Sequence, residues 1–115
     1  MSERSITHYH LTHKQGRSGS VMRQPETITG ADAALRLLEE IAAHFVRQGC
    51  RVVRYHRGIR VYGCKNPEVS DQSFEAHDCK DAECGLTPPQ SEYGRWTKTD
   101  RQRYLVALQQ RGLLA

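Results

Sequence analysis

The segment between Thr29 and Gly49 constrains the fold more than any other part of the chain. Thr29, with Asp32 three residues later, is typical of a helix N-cap, and Gly49 is a residue that readily ends a helix in the left-handed conformation. Apolar residues recur between them at helical spacing, and the stripe consists of Ala34, Leu35, Leu37, Leu38, Ile41, Ala42 and Phe45. The pattern predicts a helix over about 31–48 that buries a broad face against another element.

A charged hairpin is predicted directly after this helix, over residues 50–65, with the sequence CRVVRYHRGIRVYGCK. Valine, isoleucine and tyrosine alternate with arginine, which is typical of strands with one buried and one exposed face. The turn is predicted at Arg57-Gly58, and a two-residue loop there would pair Tyr55 with Arg60.

Two further elements are predicted at the ends of the chain. Ser5 to His13 alternates β-branched or aromatic residues with histidine and predicts an N-terminal strand, and Val21 and Met22 indicate a short pairing segment. Thr99 and Gln102 indicate a capping box that begins a second helix over about 99–111. The predicted fold class is therefore α+β: a small antiparallel sheet, formed by the N-terminal strand plus the hairpin 50–65, packed by the two helices.

The whole chain, residues 1–115, is expected to form one domain with a loose N-terminus. Residues 66–94 contain seven Asp and Glu and few large apolar side chains. This composition predicts a long acidic loop that packs no core of its own.

Composition and charge favour some classes of protein over others. The apolar share is 37% with a mean hydropathy of -0.70, and no apolar run is long enough to span a membrane. The first residues lack the apolar core of a signal peptide, so we expect a cytosolic protein whose cysteines are reduced. A net charge of +4 and a pI near 9.0 favour polyanionic partners.

Cysteine and histidine spacing suggests a zinc site. The candidate ligands follow the spacing C-x12-H-x-C-x4-C-G and are Cys64, His77, Cys79 and Cys84. The segment CKDAECG resembles the knuckle half of many zinc modules. Metal would supply the ordering energy that burial cannot supply in such a loop. The alternative is a pair of incidental thiols in a mobile loop plus a buried strand cysteine. Cys50 is interpreted as a small core residue and not as a ligand.

A second metal hypothesis concerns the N-terminal strand. A His-x-His pattern places His8 and His10 on the same face of a strand, and His13 follows nearby. The competing interpretation is an ordinary polar strand face.

The sequence offers a candidate nucleic-acid interface in its basic and aromatic residues. Arginine forks onto phosphate, and tyrosine stacks on bases. The candidate contact residues are Arg51, Arg54, Tyr55, Arg57, Arg60, Lys65, Arg95, Lys98 and Arg101. The competing interpretation is that charge protects an edge strand from aggregation, or that the acidic loop folds over the hairpin and neutralises it.

No phosphate-binding loop, nucleophile elbow or His-Glu-x-x-His motif is present, which favours a binding protein over an enzyme. The first hypothesis is a small cytosolic protein, zinc-stabilised, that contacts nucleic acid through the basic hairpin. The alternative is a protein-binding adaptor or inhibitor of the kind that mobile elements and phages encode, working as a monomer or a homodimer. A metal-dependent hydrolase that uses the N-terminal histidines is a third hypothesis.

Overall fold

The computed structural model describes residues 8–16, 19–66, 71–79 and 96–114. The elements in chain order are β1 (His8–Gln15), β2 (Val21–Arg23), β3 (Ile28–Thr29), α1 (Ala31–Arg47), β4 (Arg51–Tyr55), β5 (Gly58–Tyr62), β6 (Gln72–Asp78) and α2 (Lys98–Gln110). Six antiparallel strands and two packed helices confirm the predicted α+β class.

The sheet has the strand order β2-β1-β6-β5-β4, with β3 also paired to β1. β4 and β5 form the predicted hairpin, and β1 and β2 form the short N-terminal pairing. β1 lies inside the sheet, because β6 pairs with it over seven residues. β6 therefore joins the N-terminal strands to the hairpin.

The prediction of an unbroken acidic loop over 66–94 is wrong at residues 72–78, which form this central strand. Phe74 and Ala76 point into the core, while Ser73, Glu75 and His77 alternate toward the other face. A strand held by ladders on both sides needs few apolar side chains, because its backbone hydrogen bonds are satisfied by its neighbours. Composition alone did not reveal it.

The core lies between one face of the sheet and the helices. Phe45 of α1 packs on Phe74 of β6, with their ring centroids 5.8 Å apart. Tyr104 and Leu108 of α2 are buried in the same cluster. Within the described residues, neither helix is long and apolar enough to cross a bilayer.

The hairpin forms with a register two residues away from the prediction. Tyr55 pairs with Gly58 and not with Arg60, so the turn residues are His56 and Arg57. Arg57 takes a left-handed conformation with φ 53°. A shift of two residues keeps every strand side chain on its predicted face, because side chains alternate with a period of two.

Both predicted N-caps are corrected by the structure. Thr29 lies buried in β3, and Gly30 precedes α1 without a side-chain cap. The capping box of α2 is formed by Thr97 and Asp100, two residues before the predicted pair. At the other end, the Leu113 and Gly112 amides donate to the carbonyls of Leu108 and Gln109, as in a Schellman cap.

Cys50 and Cys64 form a disulfide across the open end of the hairpin, with their Cα atoms 4.1 Å apart. The expectation that all four cysteines are reduced is therefore wrong for this pair. That expectation rested on a presumed compartment, whereas the pairing of Arg51 with Tyr62 holds the two ends of the hairpin together beside Cys50 and Cys64.

Candidate functional site on the open face of the sheet

One face of the sheet carries no helix among the described residues, and we call it the open face. Strand register places its members in rows across β2, β1, β6, β5 and β4. Its side chains are those of His8, His10, Thr12, Lys14, Val21, Arg23, Arg51, Val53, Tyr55, Arg60, Tyr62, Ser73, Glu75 and His77. The face combines cations and aromatic rings, and Glu75 is the only carboxylate among these side chains.

Tyr55 is fixed on this face by two contacts. Its hydroxyl donates to Glu75 Oε2 at 2.7 Å, and its ring lies over Gly58, where an added Cβ would fall 2.6 Å from the Tyr55 Cε2 atom. Burial of part of the side chain, reinforced by the Glu75 hydrogen bond, raises the pKa of Tyr55 to about 12. The hydroxyl is therefore neutral at physiological pH, and the ring is held in place.

A shallow concavity of about 380 Å³ lies beside this ring, lined in part by Lys14, Arg60 and Asp71. Arg60 Nη2 lies 3.3 Å from Asp71 Oδ1, and both side chains are about half exposed. Exposed pairs of this kind contribute little to stability, so Arg60 can exchange its partner for another anion at small cost.

Arg54 and Arg101 do not reach the open face. Arg54 Nε lies 2.7 Å from Glu39 Oε2, and this bond raises the pKa of Arg54. Arg101 Nε lies 3.2 Å from Glu40 Oε2. Both carboxylates belong to α1, so these two cations lie on the helical side of the molecule.

The remaining predicted contacts are dispersed. Arg57, in the turn, pairs with Asp78 at 3.1 Å and lies 5.2 Å from the centroid of the Tyr9 ring. Lys65 extends past Gly49, and Lys98 is exposed at the start of α2. Arg95 lies outside the described residues. Of the nine predicted contacts, the structure brings Arg51, Tyr55 and Arg60 together on one face. Lys14 lies there too, and sequence reasoning missed it.

The four predicted metal ligands are not brought together in the described part of the chain. Cys64 is bonded to Cys50, and so it offers no thiolate. His77 Nε2 hydrogen-bonds Glu75 Oε1 at 3.0 Å, and Cys84 lies outside the described residues. Cys79 meets different partners, the N-terminal histidines His8 and His10.

The ligand atoms of His8, His10 and Cys79 all lie within 4.8 Å of one another, at the end of the open face. The Cys79 amide donates to the His8 carbonyl at 2.9 Å, which continues the β1–β6 ladder and brings the thiol beside the imidazoles. Burial lowers the pKa of both His8 and His10. The His-x-His pattern indicated His8 and His10, and Cys79 was a candidate ligand of a different set. Local sequence could not join them, because their meeting depends on the pairing of β1 with β6, which lie far apart in the chain.

No protein family, curated protein or solved structure matched this chain significantly. The open face and the His8–His10–Cys79 cluster are two places in the described residues where side chains with binding chemistry converge. Both depend on the register in which β1 pairs with β6.

Proposed function

We propose that this protein binds single-stranded nucleic acid on the open face of its sheet. The observation that supports the proposal is the arrangement of cations and aromatic rings in neighbouring rows of the sheet. Lys14 and Arg60 share one row, with Ser73 of β6 between them. The Arg51–Tyr62 pair lies in the row on one side, and Tyr55 lies in the row on the other. Cationic side chains neutralise phosphates, and aromatic rings stack on bases that no partner strand covers.

The dimensions of the face suit a single strand. Five strands spaced about 4.8 Å apart give a width of roughly 19 Å, enough for a few nucleotides laid across them. A duplex presents its bases edge-on inside grooves, and a flat sheet face cannot stack on them. We therefore expect single strands to bind more tightly than duplexes of the same sequence.

The roles within the face follow from the contacts. Tyr55, fixed by Gly58 and Glu75, would serve as the stacking platform. Arg60 and Lys14 border the concavity next to that ring and would hold the phosphates on either side of a stacked base. Arg51 would extend the cationic track to the edge strand β4.

The test is fluorescence anisotropy with labelled single-stranded and duplex oligonucleotides, DNA and RNA, at several salt concentrations. Arg60→Ala should weaken binding and reduce the slope of log affinity against log salt by about 0.7, the loss of one phosphate contact on a single strand. Tyr55→Ala should cost about 1–3 kcal/mol of binding free energy, the usual contribution of one stacked base.

Arg54→Ala provides a matched control. Arg54 and Arg60 are neighbours in register, each is about half exposed, and each pairs with one exposed carboxylate, but they lie on opposite faces. The Arg54 variant should bind like the unaltered protein. Equal losses from both substitutions, or affinity that does not change with salt, would contradict the proposal.

A protein partner is the second candidate, and the edge position of β4 favours it. Val53 and Tyr55 are exposed on this strand, which has a paired neighbour on one side only among the described strands. A partner with an acidic surface could add a strand there. Absence of nucleic-acid binding at low salt, together with capture of a protein that Arg60→Ala releases, would favour this class.

A further inference from the structure

We propose that His8, His10 and Cys79 form a zinc site at one end of the open face. These side chains come from β1 and from the residue that follows β6, and their ligand atoms lie within 4.8 Å of one another. Two imidazole nitrogens and a thiolate are ligands that zinc prefers, and three protein ligands leave a fourth position for solvent.

The geometry needs little adjustment to hold the ion. With Zn–N distances near 2.05 Å and Zn–S near 2.3 Å, ligand atoms in a tetrahedral site are about 3.3 to 3.6 Å apart. Ligand atoms as far apart as 4.8 Å would have to approach by about 1.2 to 1.5 Å, which side-chain rotation supplies. The backbones are already fixed, because the Cys79 amide is bonded to the His8 carbonyl.

A hydrogen bond from Nδ1 of His10 orients the imidazole so that Nε2 can act as a metal ligand. Its Nδ1 lies 3.0 Å from the backbone carbonyl oxygen of Gln24, a contact in which the imidazole must be the donor. That bond leaves the Nε2 lone pair facing the cluster. A carbonyl acceptor behind a histidine is the usual outer-shell support of a metal ligand, and His10 is only 2% exposed.

Arg23 marks the position at which the ligands converge. A single guanidinium nitrogen, Nη2, lies 3.0 Å from His10 Nε2 and 3.8 Å from Cys79 Sγ. One cationic atom thus contacts two of the three proposed ligand atoms. Arg23 belongs to the exposed strand β2, so its guanidinium can withdraw into solvent when the ion enters.

His77 is another histidine on the open face, and it lies outside this set of ligand atoms. It faces His10 across the β1–β6 ladder, but its Nε2 is bonded to Glu75 and its side chain is 56% exposed. It is therefore the matched control, because it is a histidine on the same face and two residues before Cys79, but outside the proposed ligand set.

The experiment uses the full chain in a Cys84→Ser background, anaerobically and without thiol reductant. The Cys50–Cys64 disulfide then stays closed, and Cys79 is the only thiol, as a thiol titration will verify. Zinc content is measured by elemental analysis after dialysis. Titration with Co²⁺ reports the thiolate through its sulfur-to-cobalt absorption in the near ultraviolet.

We expect about one zinc per chain and a sulfur-to-cobalt band. Cys79→Ser should abolish the band, and His10→Ala should lower affinity by more than the roughly 10- to 100-fold that loss of an outer-shell partner costs. His77→Ala should bind as before. Thermal unfolding of each metal-free variant shows whether the fold is intact.

Three results would overturn the assignment. They are a metal-free protein that gives no cobalt band, a band that survives Cys79→Ser, and a loss in His77→Ala equal to that in His10→Ala. If His10→Ala fails to fold, His8→Ala decides instead, because His8 is less buried and should show the same loss of affinity.

Discussion

At the scale of single residues, the Tyr55–Gly58 contact determines how the aromatic ring of the open face is presented. These two residues pair across the hairpin, and the absence of a Cβ at Gly58 lets the ring lie flat on the strand. Glu75 then accepts the hydroxyl hydrogen bond from the neighbouring strand. The proposed stacking platform therefore depends on the space that Gly58 leaves for the ring, because the φ of this glycine is not in the left-handed region.

Gly58→Ala should destabilise the protein by about 1–3 kcal/mol, because the added methyl group would collide with the Tyr55 ring. Chemical denaturation monitored by circular dichroism measures the change. The same substitution in a Tyr55→Ala background should cost much less, since the colliding ring is gone. Equal costs in the two backgrounds would show that the contact is not the cause.

At the scale of elements, the N-terminus of α2 is the place where the observed helix cap differs from the predicted one. Thr97 Oγ1 accepts from the Asp100 amide, and the Asp100 carboxylate accepts from the Thr97 amide. Thr99 and Gln102 also fit the spacing of a capping box, but the chain has already become helical at Lys98. Helix boundaries depend on where the tertiary core anchors the helix, and Tyr104 and Leu108 provide that anchor.

Thr97→Ala should lower the free energy of unfolding by about 1 kcal/mol, the usual contribution of a side-chain cap. Thr99→Ala is the control, and it should change stability by less than about 0.5 kcal/mol, as for other exposed positions. Comparing the denaturation midpoints of the two variants shows whether Thr97 or Thr99 caps the helix. A larger effect at Thr99 would place the helix start where the sequence pattern put it.

At the scale of the whole molecule, β6 holds the two halves of the sheet together. It pairs with β1 on one side and β5 on the other, and Phe74 reaches across the core to Phe45 of α1. The strand also places Glu75 beside Tyr55 and leads directly into Cys79. Both proposed sites depend on this one strand.

Phe74→Ala should cost about 3–5 kcal/mol, because the side chain is fully buried and its removal leaves a cavity between sheet and helix. Val53→Ala, on the open face and 46% exposed, should cost less than about 1 kcal/mol. Urea denaturation of both variants measures the difference. Similar costs would mean that β6 is not part of the cooperative core.

The sequence by itself determined the helices and the hairpin, because their hydrophobic periods and end signals are local. The helix predicted over 31–48 is Ala31–Arg47, and the one predicted over 99–111 is Lys98–Gln110. The face on which each hairpin side chain lies was also predictable, since alternation survives a register shift of two.

Only the tertiary structure decided which residues meet. The identification of β6 as a central strand, the separation of Arg54 from Arg60, and the meeting of Cys79 with His8 and His10 all depend on strand pairing. Strand pairing cannot be predicted from local sequence. The free energy that stabilises a pair of strands comes from backbone ladders and core contacts between segments far apart in the chain.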